Sequence, residues 1–472
     1  MDGSDGAEAD TFLGVEVEDD PAAGPPDSGD DDANGGEDDA MDGGADDEMG
    51  DSDDGDGDGD GSGHGDGDGD GDGDGLGNSQ PEQELDLENL GVDSTPPLRD
   101  DAIAVCTVHS GPVYAIAAVG PIVATGSGDD TGALLTPDPA VAGAEAVAAA
   151  GSPSPPPAGT LFRLAHTSSL GESVSAVGLS ADGAYAAYGA ENGVVAVRGV
   201  RGDTAQGVTL FEEASAAIHF VAFHPRGPVV LAGDADGTGW MLNAATSSFM
   251  AVFAGHGGAV TCGGWAPDGR TAVTGAADGV VRVWDPKAST VAVSVSNQRG
   301  DYHPAGVGVV ALALHPSADT PVGASGGDDG SVHLWSTATG KVLTRVPTHA
   351  ESVEAVAFSP AGGEHLVTAA LDGTLRVWDV AVSAERGVAA HDAGVTAVAW
   401  HPTERGVLLS GGLDRTVRVW DARAGGRPVG VWRGHTKAVL DVAWGGGGGE
   451  VAYSASDDGT VRVWDMRLRG GL

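Results

Sequence analysis

An all-β fold, a closed ring of eight four-stranded blades behind a disordered acidic tail, is what the sequence predicts, and three observations predict it. First, a unit of three short, β-branched-rich runs separated by Gly and Asp turns recurs through the C-terminal part of the chain. Its clearest copy is GHTKAVLDVAWGGGGGEVAYSASDDGTVRVWD, Gly434 to Asp465. Second, helical periodicity is absent from these units, whereas alternation with Asp-Gly turns reads as antiparallel strands and hairpins. Third, the last copy stops at its third strand, Thr460 to Asp465, while Ala102 to Val108 is a strand-like run with no blade of its own. An open ring would leave raw sheet edges, so the N-terminal run is expected to complete the last blade.

Charge divides the chain before any element is assigned. The formal net charge is −48; residues 1–100 hold 36 Asp and Glu against the single base Arg99, net −35, and the remainder holds net −13. So much like charge with so few apolar side chains cannot offset chain entropy, and residues 1–100 are expected to be a disordered, Asp/Gly-rich tail ahead of a folded domain at 101–472. The Asp-Gly run from Asp54 to Gly75 invites a calcium reading, and that reading fails. Asp56, Asp58, Asp60 and Gly61 fit the start of a helix–loop–helix calcium loop, but the twelfth position is Gly67, not Glu. A β-roll would need an apolar residue in each repeat, and the run has none. Cys106 and Cys262 argue against a disulfide framework and suit a reducing compartment, which places the protein in the cytoplasm and, as a second site, the nucleus. The acidic N-terminus resembles no signal or transit peptide, and no apolar run is long enough to span a bilayer.

From Asp101 the units follow in order. The first opens at His109, turns at Asp129, has Leu135 at the aromatic position and carries an Ala/Pro-rich insertion, 136–159, expected as a surface loop. The second is read from His166 to Arg198, turning at Asn192-Gly193, and the third from Ile218 to Leu242, turning at Asp236-Gly237 without a preceding Gly-His. Five regular units follow, with turn acids Asp278, Asp329, Asp372, Asp414 and Asp458, 42 to 51 residues apart. That period, with Gly-His and Trp-Asp at its ends, is the WD-repeat signature. Residues 101–472 therefore resemble an eight-bladed WD40 β-propeller. The third unit, HFVAFHPRGPVVLAGDADGTGWML, the TGSGDDTGALL of the first and the acidic leader narrow the resemblance to the angio-associated migratory cell protein group, whose yeast relative is a dedicated chaperone of one large-subunit ribosomal protein. The resemblance implies a non-enzymatic binding role, a basic client and no cofactor.

Residue sets of hydrolytic type recur: His256, Thr274, Asp278; His349, Thr368, Asp372; His391, Ser410, Asp414; His435, Ser454, Asp458. Their repetition excludes one active site. With Trp284, Trp378, Trp420 and Trp464 they are expected to form buried structural tetrads, in which indole N–H, hydroxyl, imidazole and turn carboxylate satisfy one another. Asp234, in a unit without this set, is expected to carry no such load. No metal-protease, phosphate-loop, dinucleotide or Cys-x-x-Cys motif is present. Net negative charge and only three lysines, Lys287, Lys341 and Lys437, argue against direct nucleic-acid binding. Arg282, Arg376, Arg418 and Arg462 recur at one position and are expected to pair locally. Two repeats read Trp-Asp-x-Arg, with Arg423 and Arg467, which resembles the box by which some propellers dock on a cullin-RING ligase adaptor. Acids expected on the loop face, Glu172, Glu212, Glu213, Glu351, Glu354, Asp392 and Asp441, form a candidate acidic docking rim. The function expected is that of a monomeric chaperone or assembly factor for a basic protein, a ribosomal protein by the resemblance. A ligase substrate receptor and a signalling scaffold are the alternatives.

Overall fold

The computed structural model describes residues 99–137, 162–200, 207–297, 300–304, 306–346, 349–360, 362–424, 426–445 and 448–468. The acidic tail and nearly all of the 136–159 insertion lie outside them. The described residues form eight four-stranded antiparallel sheets. Blades 1 to 7 span residues 113–169, 174–211, 218–254, 260–295, 309–346, 353–390 and 395–433, each in sequence order from inner to outer strand. Blade 8 takes three strands from 439–465 and its outermost from Ala104–Cys106, which pairs with Val461–Asp465 through Ala104↔Val463 and Cys106↔Val461. The N-terminal run thus closes the last blade, although it is shorter than the apolar run in the sequence.

Each blade has two apolar faces, and a four-stranded sheet can bury both only between neighbours. The buried clusters follow that rule around the ring. One joins blade 1 to blade 2 through Ile122, Tyr188 and Ala196, and another joins blade 8 back to blade 1 through Val461, Tyr453, Val113 and Leu135. Between blades 7 and 8, Trp432 and Trp464 stack in parallel with centroids 5.6 Å apart, both 1% exposed. Full burial of such side chains contributes roughly 1.5–3 kcal/mol each.

Polar seams join the blades as well. The first strand of every blade carries a register shift after its first residue, and where the extra residue is Ser or Thr its hydroxyl reaches the next blade: Ser175 Oγ donates to Ile218 O at 2.9 Å and Thr396 Oγ1 to Val439 O at 2.6 Å. On the lower face, His224 Nε2 meets Gly269 O at 3.0 Å and His401 Nε2 meets Gly449 O at 3.1 Å, each across a blade boundary. Backbone N–H groups of Arg226 and Thr403 donate to the two Nδ1 atoms, so Nε2 is the protonated nitrogen and the donor.

The Asp-Gly turns explain themselves at Gly330. Its φ is +79°, and a Cβ there would lie 2.4 Å from His349 O of the next blade. The residue at the same place is Asp130 in blade 1 and Arg415 in blade 7, both left-handed without glycine's freedom.

Closure is reinforced just before the N-terminal strand. Asp101 N donates to Arg433 O at 2.7 Å, and Arg433 N to Asp101 Oδ2 at 3.1 Å. Asp100 accepts from Ala102 N at 3.0 Å and pairs with the guanidinium of Arg462, whose side chain is 9% exposed. Asp100, the last residue assigned to the tail, and Asp101, the first of the expected domain, are both structural members of the ring. His166 is a second correction: it lies in Phe162–Ser169, the outer strand of blade 1, opposite Leu134. The insertion postpones that strand, so its histidine resembled the opening of a new unit.

Candidate functional site

The repeated His/Ser/Asp sets are brought together as four structural tetrads. In blade 7, Trp420 Nε1 donates to Ser410 Oγ at 2.7 Å, His391 Nε2 lies 2.6 Å from the same oxygen, and His391 Nδ1 lies 3.0 Å from Asp414 Oδ2. Blade 8 repeats this at 2.9, 2.7 and 3.0 Å with Trp464, Ser454, His435 and Asp458. Blade 4 does so with Trp284, Thr274, His256 and Asp278 at 2.8, 2.8 and 3.2 Å. In blade 6, Trp378 Nε1 donates to Thr368 Oγ1 at 3.1 Å, His349 Nε2 is 2.8 Å from it, and Nδ1 is 3.4 Å from Asp372. The carboxylates also cap the loop that enters the blade, as where Ala350 N donates to Asp372 at 2.8 Å. Burial pushes the Asp414 carboxyl up, but the bond and charge of His391, the Thr416 hydroxyl and Arg418 outweigh it and hold the group well below the usual range. Burial likewise lowers His435 and His349, so these imidazoles are neutral spacers. With each hydroxyl committed to an indole and an imidazole, none is poised as a nucleophile.

Three further networks were not visible as tetrads. Blade 1 has the triad without the indole: His109 Nε2 is 2.8 Å from Thr125 Oγ1 and Nδ1 is 3.2 Å from Asp129, with Leu135 where Trp stands elsewhere. In blade 5, Ser325 Oγ is taken by Tyr302 at 2.8 Å and His303 at 3.1 Å, leaving Trp335 Nε1 and His333 Nδ1 buried without partners. Blade 3 overturns the expectation for Asp234. It is 1% exposed and accepts from Trp240 Nε1 at 2.7 Å and Thr238 N at 2.8 Å. An indole two positions ahead of the usual Trp, opposite Ala232, creates a network of its own.

The upper face, where chains pass between blades and second strands turn into third strands, is acidic. Glu172, Glu212, Glu213, Glu351 and Asp392 are exposed there, joined by Glu191, Asp236, Asp301, Asp328 and Asp329, which the sequence reading did not single out. Among the described residues its loops contain only two bases, Arg415 and Lys437, both on blades 7 and 8, and Lys437 pairs with Asp457 at 3.1 Å. Two acids of the expected rim sit otherwise. Asp441 is enclosed in the innermost strand of blade 8, where it accepts from Ile116 N of blade 1 at 2.9 Å and from Val442 N at 2.8 Å, and burial outweighs these bonds to push its carboxyl up to about 6. Glu354 is the extra residue in the first strand of blade 6, half-buried, and burial raises it too. Asp392 remains exposed but is paired with Arg418 at 2.8 Å.

The lower face is of mixed charge. A cleft of about 260 Å³ opens there between blades 6 and 7, lined by Trp400, His401, Arg386, Arg405 and Arg423 together with Glu364 and Glu404. Arg423 and Arg467, the arginines of the adaptor-box pattern, fold back on Asp421 at 2.8 Å and Asp465 at 2.7 Å. Of the recurring third-strand arginines, Arg376 pairs with Glu385 at 3.0 Å, Arg418 with Asp414 at 2.7 Å and Arg462 with Asp100, while the Nε atoms of Arg282, Arg376 and Arg462 are buried without partners. Burial raises Cys106 to about 11 and Cys262 to about 12, which leaves both as unreactive thiols. Among the described residues no group of three or more His, Cys, Asp or Glu is placed to hold a metal ion.

Sheet order, tetrads and closure define a WD40-repeat β-propeller. The family model described as WD domain, G-beta repeat matches residues 247–285, 300–336, 340–379, 385–421 and 426–465, and these repeats belong to that family. The chain is homologous to angio-associated migratory cell protein: it is 32% identical to the human protein over 235 residues, 47% of this chain and 51% of the relative, and 31% identical to the dog protein over the same length. The match thus spans about half the length of these relatives. Among solved structures, Sqt1 of Chaetomium thermophilum bound to the N-terminus of the ribosomal protein L10 superposes with a TM-score of 0.65 at 23% identity, covering 78% of this chain and all of that one. Saccharomyces cerevisiae Sqt1 does so at 0.65 and 19%. At these identities the likeness establishes the fold.

Proposed function

We propose that this propeller is a chaperone or assembly factor that holds a basic segment of a ribosomal protein on its upper face. The observation that carries the reading is the asymmetry of charge between the faces: exposed carboxylates follow one another over blades 2 to 6 of the upper face with no described base in its loops, while the lower face is balanced. Complementary charge sets the rate of encounter and the choice of partner more than it sets tightness, which suits capture of a newly made basic segment. The Sqt1 structure supports the reading by its bound partner, the N-terminus of the ribosomal protein L10. The acidic leader adds net charge of the same sign and extends the field seen by an approaching cation. The client is met in the cytoplasm, or in the nucleus where ribosomes assemble.

Interferometry of the full chain against a peptide matching the N-terminus of ribosomal protein L10, with shuffled Arg/Lys-rich peptides as controls, tests this. Binding is expected to weaken about tenfold or more between 0.1 and 0.5 M salt, mostly through the on-rate. Glu212→Lys, Glu213→Lys and Glu351→Lys together should abolish it without moving the thermal melt, since exposed charges contribute little to stability. Binding indifferent to salt and to these reversals, or no binding, would show the assignment to be wrong.

A further inference from the structure

Three blade boundaries on the lower face are sealed by a histidine ring. The residue that follows the first strand is His224, His315 and His401 in blades 3, 5 and 7. Each ring stands edge-on to an aromatic of the next blade's first strand, Trp265, Phe358 or Trp444, with centroids 5.0, 5.4 and 4.6 Å apart. The receiving loops offer Gly269, Gly363 and Gly449, where a Cβ would run into the imidazole Nε2. In blades 4 and 6 the histidine is replaced by Ala266 and Ser359, and the receiving residues of blades 5 and 7 are Thr320 and Arg405. Loop closure fixes this correspondence: Thr320 and Arg405 lie two residues before Val322 and Val407, whose carbonyls close the turn, as Gly269 and Gly363 lie before Thr271 and His365. Ring and glycine are thus lost together, and clefts of about 200 and 260 Å³ open at these two boundaries.

The two clefts differ in chemistry. That between blades 4 and 5 is lined by no arginine, lysine or indole. That between blades 6 and 7 has a face of Trp400 for its floor, since Trp400 Nε1 is committed to Ala357 O at 2.9 Å, and His365 for a wall, with ring centroids 6.4 Å apart. Arg386 and Arg423 turn Nε and Nη2 toward Asp379 and Asp421, which leaves Nη1 of each as a donor. Arg405 is exposed and makes no ion pair among the described residues. Glu364 and Glu404 share the rim, so the cleft receives a single carboxylate and repels a run of them.

We propose that this cleft is a peptide-binding site, separate from the upper face, that takes an aromatic side chain flanked by a carboxylate from a partner protein. The aromatic ring lies over Trp400 in the place that an imidazole fills over Trp265, Phe358 and Trp444, and ring pairs of this kind gain more than their burial alone. The carboxylate is received by the planar fork of Arg405 and by the Nη1 donors beside it. A polynucleotide would also bring rings and negative charge, but the chain's net charge of −48 opposes it.

Isothermal titration calorimetry of the full chain with a synthetic peptide centred on Asp-Phe-Glu tests this, with peptides centred on Asp-Ala-Glu and Lys-Phe-Lys as controls. The first should bind at least about tenfold more tightly than either control. Ser359→His with Arg405→Gly rebuilds the seal of the other boundaries and should abolish binding without lowering the thermal melt. Ala266→His with Thr320→Gly closes the cleft between blades 4 and 5 and should bind like wild type. Arg405→Glu, at an exposed position that contributes little to stability, should weaken binding at least about tenfold in a folded chain, and it reads the same cleft if the rebuilt seal disturbs its loop. No binding, equal binding of the three peptides, binding that survives Arg405→Glu, or equal loss when the cleft between blades 4 and 5 is closed overturns the inference.

Discussion

Asp100→Ala should open the ring's seam from outside the seam's own strands. Arg462 lies on the third strand of blade 8, 9% exposed, and its ion-pair partner is Asp100, itself 48% exposed. A Cβ placed on Gly434 would lie 2.5 Å from the guanidinium and 2.6 Å from the Asp100 carboxylate, so the pair is wedged against the loop from blade 7. Breaking a fully buried pair by removing one partner costs about 3–5 kcal/mol. Half of Asp100 faces water, which discounts that toward about 1.5–2 kcal/mol. The lost cap on Ala102 N adds about 0.5–1 kcal/mol, for a total near 2–3 kcal/mol. Urea denaturation of the full chain should therefore show a clear fall in midpoint with an unchanged slope. In an Arg462→Met background the same substitution should cost under about 1 kcal/mol, because no buried cation is left behind. A neutral Asp100→Ala, or one equally costly with Arg462 already gone, would refute the latch.

Other outcomes follow from the buried polar groups. Burial, then the charge of His333 and of Arg345, lowers His303 to about 3, and burial, then the charge of Arg345, lowers His333 to about 4; both are 1% exposed. A folded pKa below the unfolded value near 6.5 means that the unfolded chain takes up protons first, so stability should fall as pH drops from about 6.5 towards 4, by roughly 3–4 kcal/mol at pH 5 for the pair. Denaturation curves of wild type and His303→Gln/His333→Gln across that window should converge towards acid if this is right. Asp441 has the opposite sign: raised to about 6, it favours the fold below pH 4 and loses that contribution as pH rises through 6. Asp441→Asn should thus stabilise by about 1–3 kcal/mol at pH 8 and change nothing at pH 4, as thermal melts at the two pH values would show. Asp234→Ala should cost about 1–3 kcal/mol, comparable with Asp414→Ala, since each strands a buried donor; a neutral Asp234→Ala in chemical denaturation would mean that Trp240 finds another acceptor.

Period, turn acids and the Trp-Asp signature made the regular blades legible, because they repeat the same local chemistry: a left-handed turn residue, Gly in all but blade 7, Ser or Thr beside His, and Trp six residues after the acid. Blade 5 belongs to that register yet reads differently in space, since Tyr302 competes with Trp335 for one hydroxyl, and a competition between side chains leaves no periodic trace. Asp234 was misjudged for a related reason: its partner indole stands out of register. Composition assigned Asp100 to the tail, where its charge belongs statistically, but its ion pair is made with a strand more than three hundred residues away in sequence. On the acidic face, loop membership identified Glu212, Glu213 and Glu351, while Asp441 and Glu354 fell to strand geometry, because position along a first strand does not reveal which way a carboxylate is enclosed.

The strand that completes blade 8 has a consequence for how the molecule is made. Cys106 leaves the ribosome early, and its partner Val461 is synthesised 355 residues later. At about 5–20 residues per second, that interval is roughly 20–70 s, during which blades can form one after another but the circle cannot shut. Through all of it the incomplete molecule trails a free starting strand and a growing open edge, so its first maker and its first hazard are the same nascent chain. Closure is then a single late event that joins the two termini of the domain, and any truncated product lacking the final blade remains an open arc.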